Sequence, residues 1–81
     1  MSKEWILYIL RCKDGSLYTG ITTDLKKRLK RHNEGKASRY TRVKNPVKLV
    51  YKEENHTESQ ARKREIEIKK LSRQNKLKLI K

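Results

Sequence analysis

Residues 5–22 read Trp5-Ile6-Leu7-Tyr8-Ile9-Leu10-Arg11-Cys12-Lys13-Asp14-Gly15-Ser16-Leu17-Tyr18-Thr19-Gly20-Ile21-Thr22. Trp5 to Cys12 is aromatic, β-branched and nearly all apolar, the pattern of a central strand covered on both faces. Lys13-Asp14-Gly15 is a turn signal, and Ser16 to Thr22 then alternates in strand fashion. Two hairpin registers are open. A two-residue Asp14-Gly15 turn sets Tyr8 and Tyr18 on opposite faces, because side chains alternate with period two. A three-residue Lys13-Asp14-Gly15 loop, with Gly15 in the left-handed position of a G1 bulge, sets Tyr8 opposite Gly20 and Tyr18 opposite Leu10. Both tyrosines then share one face as diagonal neighbours, roughly 7–8 Å apart. The second register is favoured, since it gathers Trp5, Leu7, Ile9, Leu17, Thr19 and Ile21 on the other face. It also opens a gap beside Tyr8, where Gly20 has no side chain.

Working outward, Thr23-Asp24 can cap a helix from about Leu25 to Asn33, ended by Gly35. Residues 36–45 are polar and basic, with room for one short helical turn. Pro46 opens a third strand over Val47-Lys48-Leu49-Val50-Tyr51, a position where proline is tolerated. Thr57 with Gln60 fits a capping box for a helix over about 58–70, and Ser72 can cap a last short helix carrying Leu77 and Ile80. The order β-β-α-β-α-α describes one α+β domain over residues 1–81, a small three-stranded antiparallel sheet flanked by helices. Cys12 is expected as a small core or edge residue. His56 is expected in the loop before the long helix and receives no role.

Composition limits the function. The 81 residues hold 23 Lys+Arg against 9 Asp+Glu, a net charge of +14. Only 33% of residues are hydrophobic and 40% are charged; that alone leans toward disorder, but the apolar residues are clustered and periodic. No stretch approaches the ~18–20 apolar residues of a membrane span, and Met1-Ser2-Lys3-Glu4 does not open a secretion signal. One cysteine forms no internal disulfide, and no Cys/His cluster has zinc spacing. The expectation is a cytoplasmic protein of the bacterial cytosol or nucleoid, a monomer by default, with room for an unidentified protein partner. The charge points to a polyanion, most simply nucleic acid. Lys26, Lys27, Arg31, Lys36, Arg39 and Arg42 lie where Glu34 is the sole acid between residues 25 and 52. They are the expected nucleic-acid contacts.

Two polar sets sit on unexpected faces. Arg28 and His32, four residues apart, flank the core stripe of Leu25 and Leu29 and should point toward the sheet edge. On the long helix, Glu65 falls within about 40° of Ala61, on the stripe through Ala61, Ile68 and Ser72. A carboxylate there is costly without a cationic partner or a metal. A phosphodiesterase needs a group to deprotonate water, a cation for the phosphorane charge and a carboxylate for a divalent metal. Tyrosine, Arg/His and Glu65 match those jobs.

With these residues in view, the chain resembles the GIY-YIG nuclease family over about residues 5–80. The first motif stands as Ile6-Leu7-Tyr8, with the glycine replaced and the tyrosine kept; the second stands as Tyr18-Thr19-Gly20. Arg28, His32 and Glu65 fall at the family's expected places. More narrowly, Tyr8 to Thr22, His32-Asn33-Glu34-Gly35-Lys36 and Leu49-Val50-Tyr51 look like the small stand-alone bacterial single-domain group, itself uncharacterised. The resemblance implies a metal-dependent endonuclease hydrolysing DNA, DNA rather than RNA, in repair or recombination. Tyr8 would be general base, Tyr18 would position water or phosphate, Arg28 would stabilise the transition state and His32 would assist. Glu65 would hold Mg²⁺ (or Mn²⁺), with waters and substrate oxygens completing the shell. A phenol with pKa near 10 needs help to act as a base. The family's late-helix asparagine has no equivalent in register; the nearest residue is Asn75. Larger members of the family take target choice from appended DNA-reading domains; with none expected here, recognition of structure or backbone and not of sequence is the expectation. The alternative is a nucleic-acid-binding module on the same fold with weak or lost catalysis.

Overall fold

The structure, a computed structural model, describes residues 4–42 and 44–80, with the side chain of Tyr40 left aside. Its elements are β1 (Trp5–Arg11), β2 (Leu17–Thr22), α1 (Leu25–Asn33), α2 (Arg39–Arg42), β3 (Lys48–His56), α3 (Glu58–Lys69) and α4 (Arg73–Ile80). The predicted order therefore holds, with α2 as the short turn inside the basic segment. Among the described residues, no helix is long and apolar enough to cross a membrane.

The sheet is antiparallel, in the order β2-β1-β3. Tyr8 pairs with Gly20 and Leu10 with Tyr18, the three-residue-loop register. Gly15 adopts φ +87°, a conformation that L side chains enter only with strain. The turn closes through Gly15 N donating to Cys12 O and Cys12 N donating to Ser16 O. Asp14 accepts from both the amide and the hydroxyl of Ser16, and the Arg73 guanidinium of α4 donates to Gly15 O.

The sheet packs on both faces. Leu7 and Ile9 meet Ile68 of α3, joined by Leu17, Ile21, Val50, Tyr51, Leu71, Leu79 and Ile80. On the opposite face Tyr8, Leu10, Cys12 and Val47 pack with Tyr18, Leu25, Leu29 and Leu49. Cys12 is a core residue, as expected. Trp5 departs from expectation. It is half-buried at the end of β1 and lines a shallow depression with Glu4, Thr23 and His56, outside the cluster around Ile68.

The caps match their residues. Asp24 accepts from Lys27 N at α1, and Thr57 with Gln60 forms a complete capping box at α3. Ser72 Oγ accepts from Asn75 N at α4. Ser72 is exposed and so does not continue the α3 core stripe; the stripe ends at Ile68. Asn33 Oδ1 accepts from Val47 N, tying the end of α1 to the entry of β3.

β3 is the main correction. The sequence predicts it over residues 47–51, but it runs to His56, so His56 is a strand residue paired with Trp5 and not part of a loop. The extension is held by polar contacts: Glu53 accepts from Tyr51 Oη, His56 Nε2 and Arg64 Nε. Asn55, at φ 65°, occupies the irregularity that separates the Leu7–Glu53 and Trp5–His56 pairs.

Gly20 is the point at which the hairpin makes room for a buried aromatic ring. A Cβ there would lie 2.6 Å from Tyr8 Oη and 2.7 Å from Tyr8 Cζ. The Tyr8 ring thus crosses β2 through the space a side chain would fill. Gly20→Ala must displace that ring, and overpacking of this kind costs roughly 1–3 kcal/mol. The expected result is a lower urea midpoint with an unchanged slope; an unchanged midpoint would show that the ring does not cross β2 at Gly20.

Candidate functional site

Strand β1 delivers Tyr8 to the α1 side of the sheet, and α1 delivers His32 to meet it. His32 lies on the last turn of α1 and is completely buried, as Tyr8 nearly is. Tyr8 Oη and His32 Nε2 are 2.9 Å apart. The other ring nitrogen, Nδ1, lies 2.7 Å from Thr41 Oγ1 of α2. Tyr18 completes an aromatic triad. Its ring centre is 5.1 Å from His32 and 6.3 Å from Tyr8, both in tilted or edge-on arrangements favoured by ring quadrupoles.

Arg28 sits one turn before His32, half-buried. Its charge reaches both Tyr8 and His32, lowering the pKa of each. For Tyr8 this is outweighed. Burial, then the neighbouring Tyr18 and Glu65, push its hydroxyl well above the ordinary tyrosine range. For His32, burial and Arg28 act together and lower the imidazole to about 4, so it is neutral at pH 7.

Glu65 comes from α3, on the opposite layer of the sheet, yet its charge is felt at Tyr8. Tyr8 crosses β2 at Gly20, and α3 packs against β2 as well as β1. The Glu65 side chain is 23% exposed and pairs with Lys69 Nζ at 3.4 Å. A cationic partner is one of the two ways a carboxylate on that stripe can be satisfied. Glu67 is an exposed surface acid beside Arg64.

Tyr8, Tyr18, Arg28 and His32 are thus brought together, with Glu65 within electrostatic range of Tyr8. The expected nucleic-acid contacts fall into groups. Lys27 and Arg31 line a depression with Arg28, Thr22, Thr23 and Asp24 at the start of α1. Lys36, Arg39 and Arg42 line a second one around Gly35 and Ser38. Lys26 is exposed on α1 and lines neither. Asn75 is exposed in the first turn of α4. Thr41 was missed by sequence reasoning. A threonine in a basic, polar segment carries no signal, and only the fold of α2 shows it wholly buried against His32.

The His32 environment has a measurable consequence. The imidazole binds a proton near pH 6.5 when unfolded and near 4 when folded. Between these values the unfolded chain holds more protons, so stability falls as pH drops from 6.5 to 4. The loss is at most about 3–4 kcal/mol, at 1.36 kcal/mol per pKa unit; the slope is half-maximal at pH 6.5 and fades to nothing about one pH unit higher. Urea midpoints measured across this range should drop for the wild type and drop less for His32→Gln. Parallel curves would contradict the assignment.

Comparison with known proteins identifies the family. The model of the GIY-YIG catalytic domain matches residues 4–78. A UPF0213 protein of Staphylococcus saprophyticus is 56% identical over 80 residues, covering 99% of this chain and 96% of that protein. A UPF0213 protein of Staphylococcus aureus is 53% identical over 75 residues, covering 93% of this chain and 92% of that one. The solution structure of a UPF0213 protein from Bacillus halodurans superposes with a TM-score of 0.62 at 44% identity, over 95% of this chain and 82% of that chain. The solution structure of an E. faecalis protein gives 0.63 at 42%, over 93% and 80%. With its motif tyrosines on one sheet face, Arg28 and His32 on the following helix and Glu65 on the long helix, the chain belongs to the GIY-YIG family, a family of nuclease domains, in its UPF0213 branch.

Proposed function

We propose that residues 1–81 act as one GIY-YIG-like domain, a metal-dependent endonuclease. It would hydrolyse DNA phosphodiester bonds by structure and not by sequence, in repair or recombination. The observation that carries the reading is the buried Tyr8–His32 hydrogen bond bordered by Arg28 and sensed by Glu65. A structural tyrosine needs one polar partner; this one is bordered by a cation, an acid and a neutral imidazole.

In this reading Tyr8 Oη takes a proton from the attacking water. A phenol must release its own proton to do so; His32 Nε2 is the acceptor against the hydroxyl, and because burial and Arg28 lower that imidazole to about 4, the transfer runs uphill unless bound charge shifts both groups. The hydroxide attacks phosphorus, the bond to the leaving oxygen breaks, that oxygen is protonated from solvent, and His32 gives the proton it received back to solvent. Arg28 offsets the charge that develops on the phosphorane. Tyr18, edge-on to His32 and tilted against Tyr8, would help hold the pair apart from bulk water. Its hydroxyl would position the water or phosphate.

Glu65 suits a hard divalent ion. It is a partly buried carboxylate, and the described residues hold no group of three or more His, Cys, Asp or Glu side chains that would form a fuller cage. A single carboxylate is the donor set that Mg²⁺ (or Mn²⁺) accepts while keeping most of its waters. When bound there, such an ion supplies Lewis-acid stabilisation of phosphate oxygens. Lys27, Arg31, Lys36, Arg39 and Arg42 would contact phosphates, with Lys26 beside them, which supplies affinity and register but no base readout.

One observation favours the binding-module alternative: the burial that raises the Tyr8 pKa works against its use as a base. Purified protein incubated with branched, nicked, flap and plain duplex DNA, with Mg²⁺ or with EDTA, decides between them. Glu65→Ala and Arg28→Ala should each lower metal-dependent cleavage by about 100-fold or more while binding persists. Cleavage that survives Glu65→Ala would sink the proposed site, and binding without any cleavage selects the alternative. In either case log affinity should fall with log salt, with a slope of about −0.9 per phosphate neutralised.

A further inference from the structure

The four-residue helix α2 exposes Arg39 and Arg42 to solvent and buries Thr41 completely. The Thr41 hydroxyl has two neighbours: His32 Nδ1 at 2.7 Å and the Ser38 carbonyl oxygen at 3.4 Å. A hydroxyl has one proton to donate and lone pairs to accept with. A carbonyl oxygen can only accept, so the contact with Ser38 O, which also accepts from Arg42 N at 3.0 Å, is a hydrogen bond only with the Thr41 proton on it, a common local bond for threonine one helical turn back. What Thr41 then presents to His32 is a lone pair.

That assignment propagates. Nδ1 must carry the hydrogen, and a neutral imidazole has one N–H, so Nε2 is bare. Tyr8 Oη, 2.9 Å from Nε2, can satisfy it only by donating. The chain of donors runs in one direction: Tyr8 Oη–H to His32 Nε2, His32 Nδ1–H to Thr41 Oγ1, Thr41 Oγ1–H to the Ser38 carbonyl. Every buried side-chain polar atom among the described residues has a hydrogen-bond partner.

We infer that Thr41 is a positioning residue that locks His32 in the Nδ1–H tautomer and thereby makes Nε2 the acceptor for the Tyr8 proton. Its value for the reaction rests on the nuclease reading above; the tautomer itself does not. With the opposite tautomer, Nε2–H would point at Tyr8 Oη, and His32 could no longer receive the proton that Tyr8 must release. Valine at position 41 keeps the shape and removes the acceptor, so Nδ1–H loses its partner in a dry site. Serine keeps the hydroxyl.

The test is long-range ¹H–¹⁵N correlation NMR on histidine-labelled protein at neutral pH, with His56→Gln used to assign the two histidines. Wild type and Thr41→Ser should show His32 with a pyridine-like Nε2 and a protonated Nδ1. Thr41→Val should move His32 toward the Nε2–H form. In the cleavage assay, Thr41→Val should reduce kcat by about 100-fold with KM unchanged, and Thr41→Ser should retain most of the rate. A wild-type His32 protonated at Nε2 would overturn the inference, as would a Thr41→Val protein that keeps the Nδ1–H form. If Thr41→Val does not fold, the wild-type and Thr41→Ser spectra decide alone. If the spectra agree and no variant or wild type cuts DNA, the nuclease reading fails while the tautomer assignment stands.

Discussion

A phenol hydroxyl nearly sealed from water has to find a partner, because leaving it unpaired costs about 1–3 kcal/mol. Tyr8, 2% exposed, finds His32 Nε2, and much of the molecule is arranged around that bond. The ring reaches it by crossing β2 where Gly20 leaves room. Gly20 stands opposite Tyr8 only in the register set by the three-residue turn and its left-handed Gly15. His32 arrives because α1 is started by the Asp24 cap and ended before Gly35, with the imidazole on its last turn. A one-residue slip of β1 against β2 would turn Tyr8 to the α3 face and strand the imidazole, so hairpin register and site integrity are one constraint.

The charge distribution reflects the same burial. A chain with net charge +14 keeps its cations out of this centre. His32 is neutral, Tyr8 keeps its proton, and Arg28 approaches from a half-buried position at the rim. Moving a full charge into the pocket would carry a desolvation penalty of several kcal/mol. The exposed Lys26, Lys27, Arg31, Lys36, Arg39 and Arg42 lie on α1, α2 and the segment between them, where solvent screens their mutual repulsion. Under the nuclease reading, affinity for a polyanion and chemistry at Tyr8 would therefore be carried by different side chains.

How far the sequence reveals this depends on whether the signal is local. Gly15 and Gly20 announce a register because backbone sterics act within a few residues. Asp24, Thr57 with Gln60, and Ser72 announce helix starts for the same reason. Tyr8, Tyr18, Arg28 and His32 were legible as a group because spacing along one hairpin and one helix places them on one side. The far half of β3 was not legible. Lys52-Glu53-Glu54-Asn55 has no apolar alternation, and Glu53 is held in the sheet by Tyr51, His56 and Arg64, the last from another element. Thr41 was invisible for a related reason: its importance lies in a hydrogen bond to a residue nine positions earlier, across a turn that nothing in its own segment specifies. Residue type alone assigns Trp5 to the core, although its place at the strand end leaves it half-exposed.

Glu65 gains its weight from the balance at Tyr8. Three influences hold the proton on the phenol: burial, Tyr18 and the Glu65 carboxylate; one, Arg28, favours its loss. Under the nuclease reading, a DNA phosphate brought to this face is a further anion and acts in the same direction as Glu65. Substrate binding alone would therefore make Tyr8 a worse base, and Arg28, already outweighed with no phosphate present, could not reverse that. In that reading positive charge would have to arrive together with the phosphate, and Glu65 would be the acid to hold it. Lys69, paired with Glu65 at 3.4 Å, offers one charge on a flexible, half-exposed stem; a divalent ion would offer two at a fixed point. Under the nuclease reading, the nearby carboxylate, unfavourable for Tyr8 on its own, would be what allows the site to receive a phosphate and still move a proton.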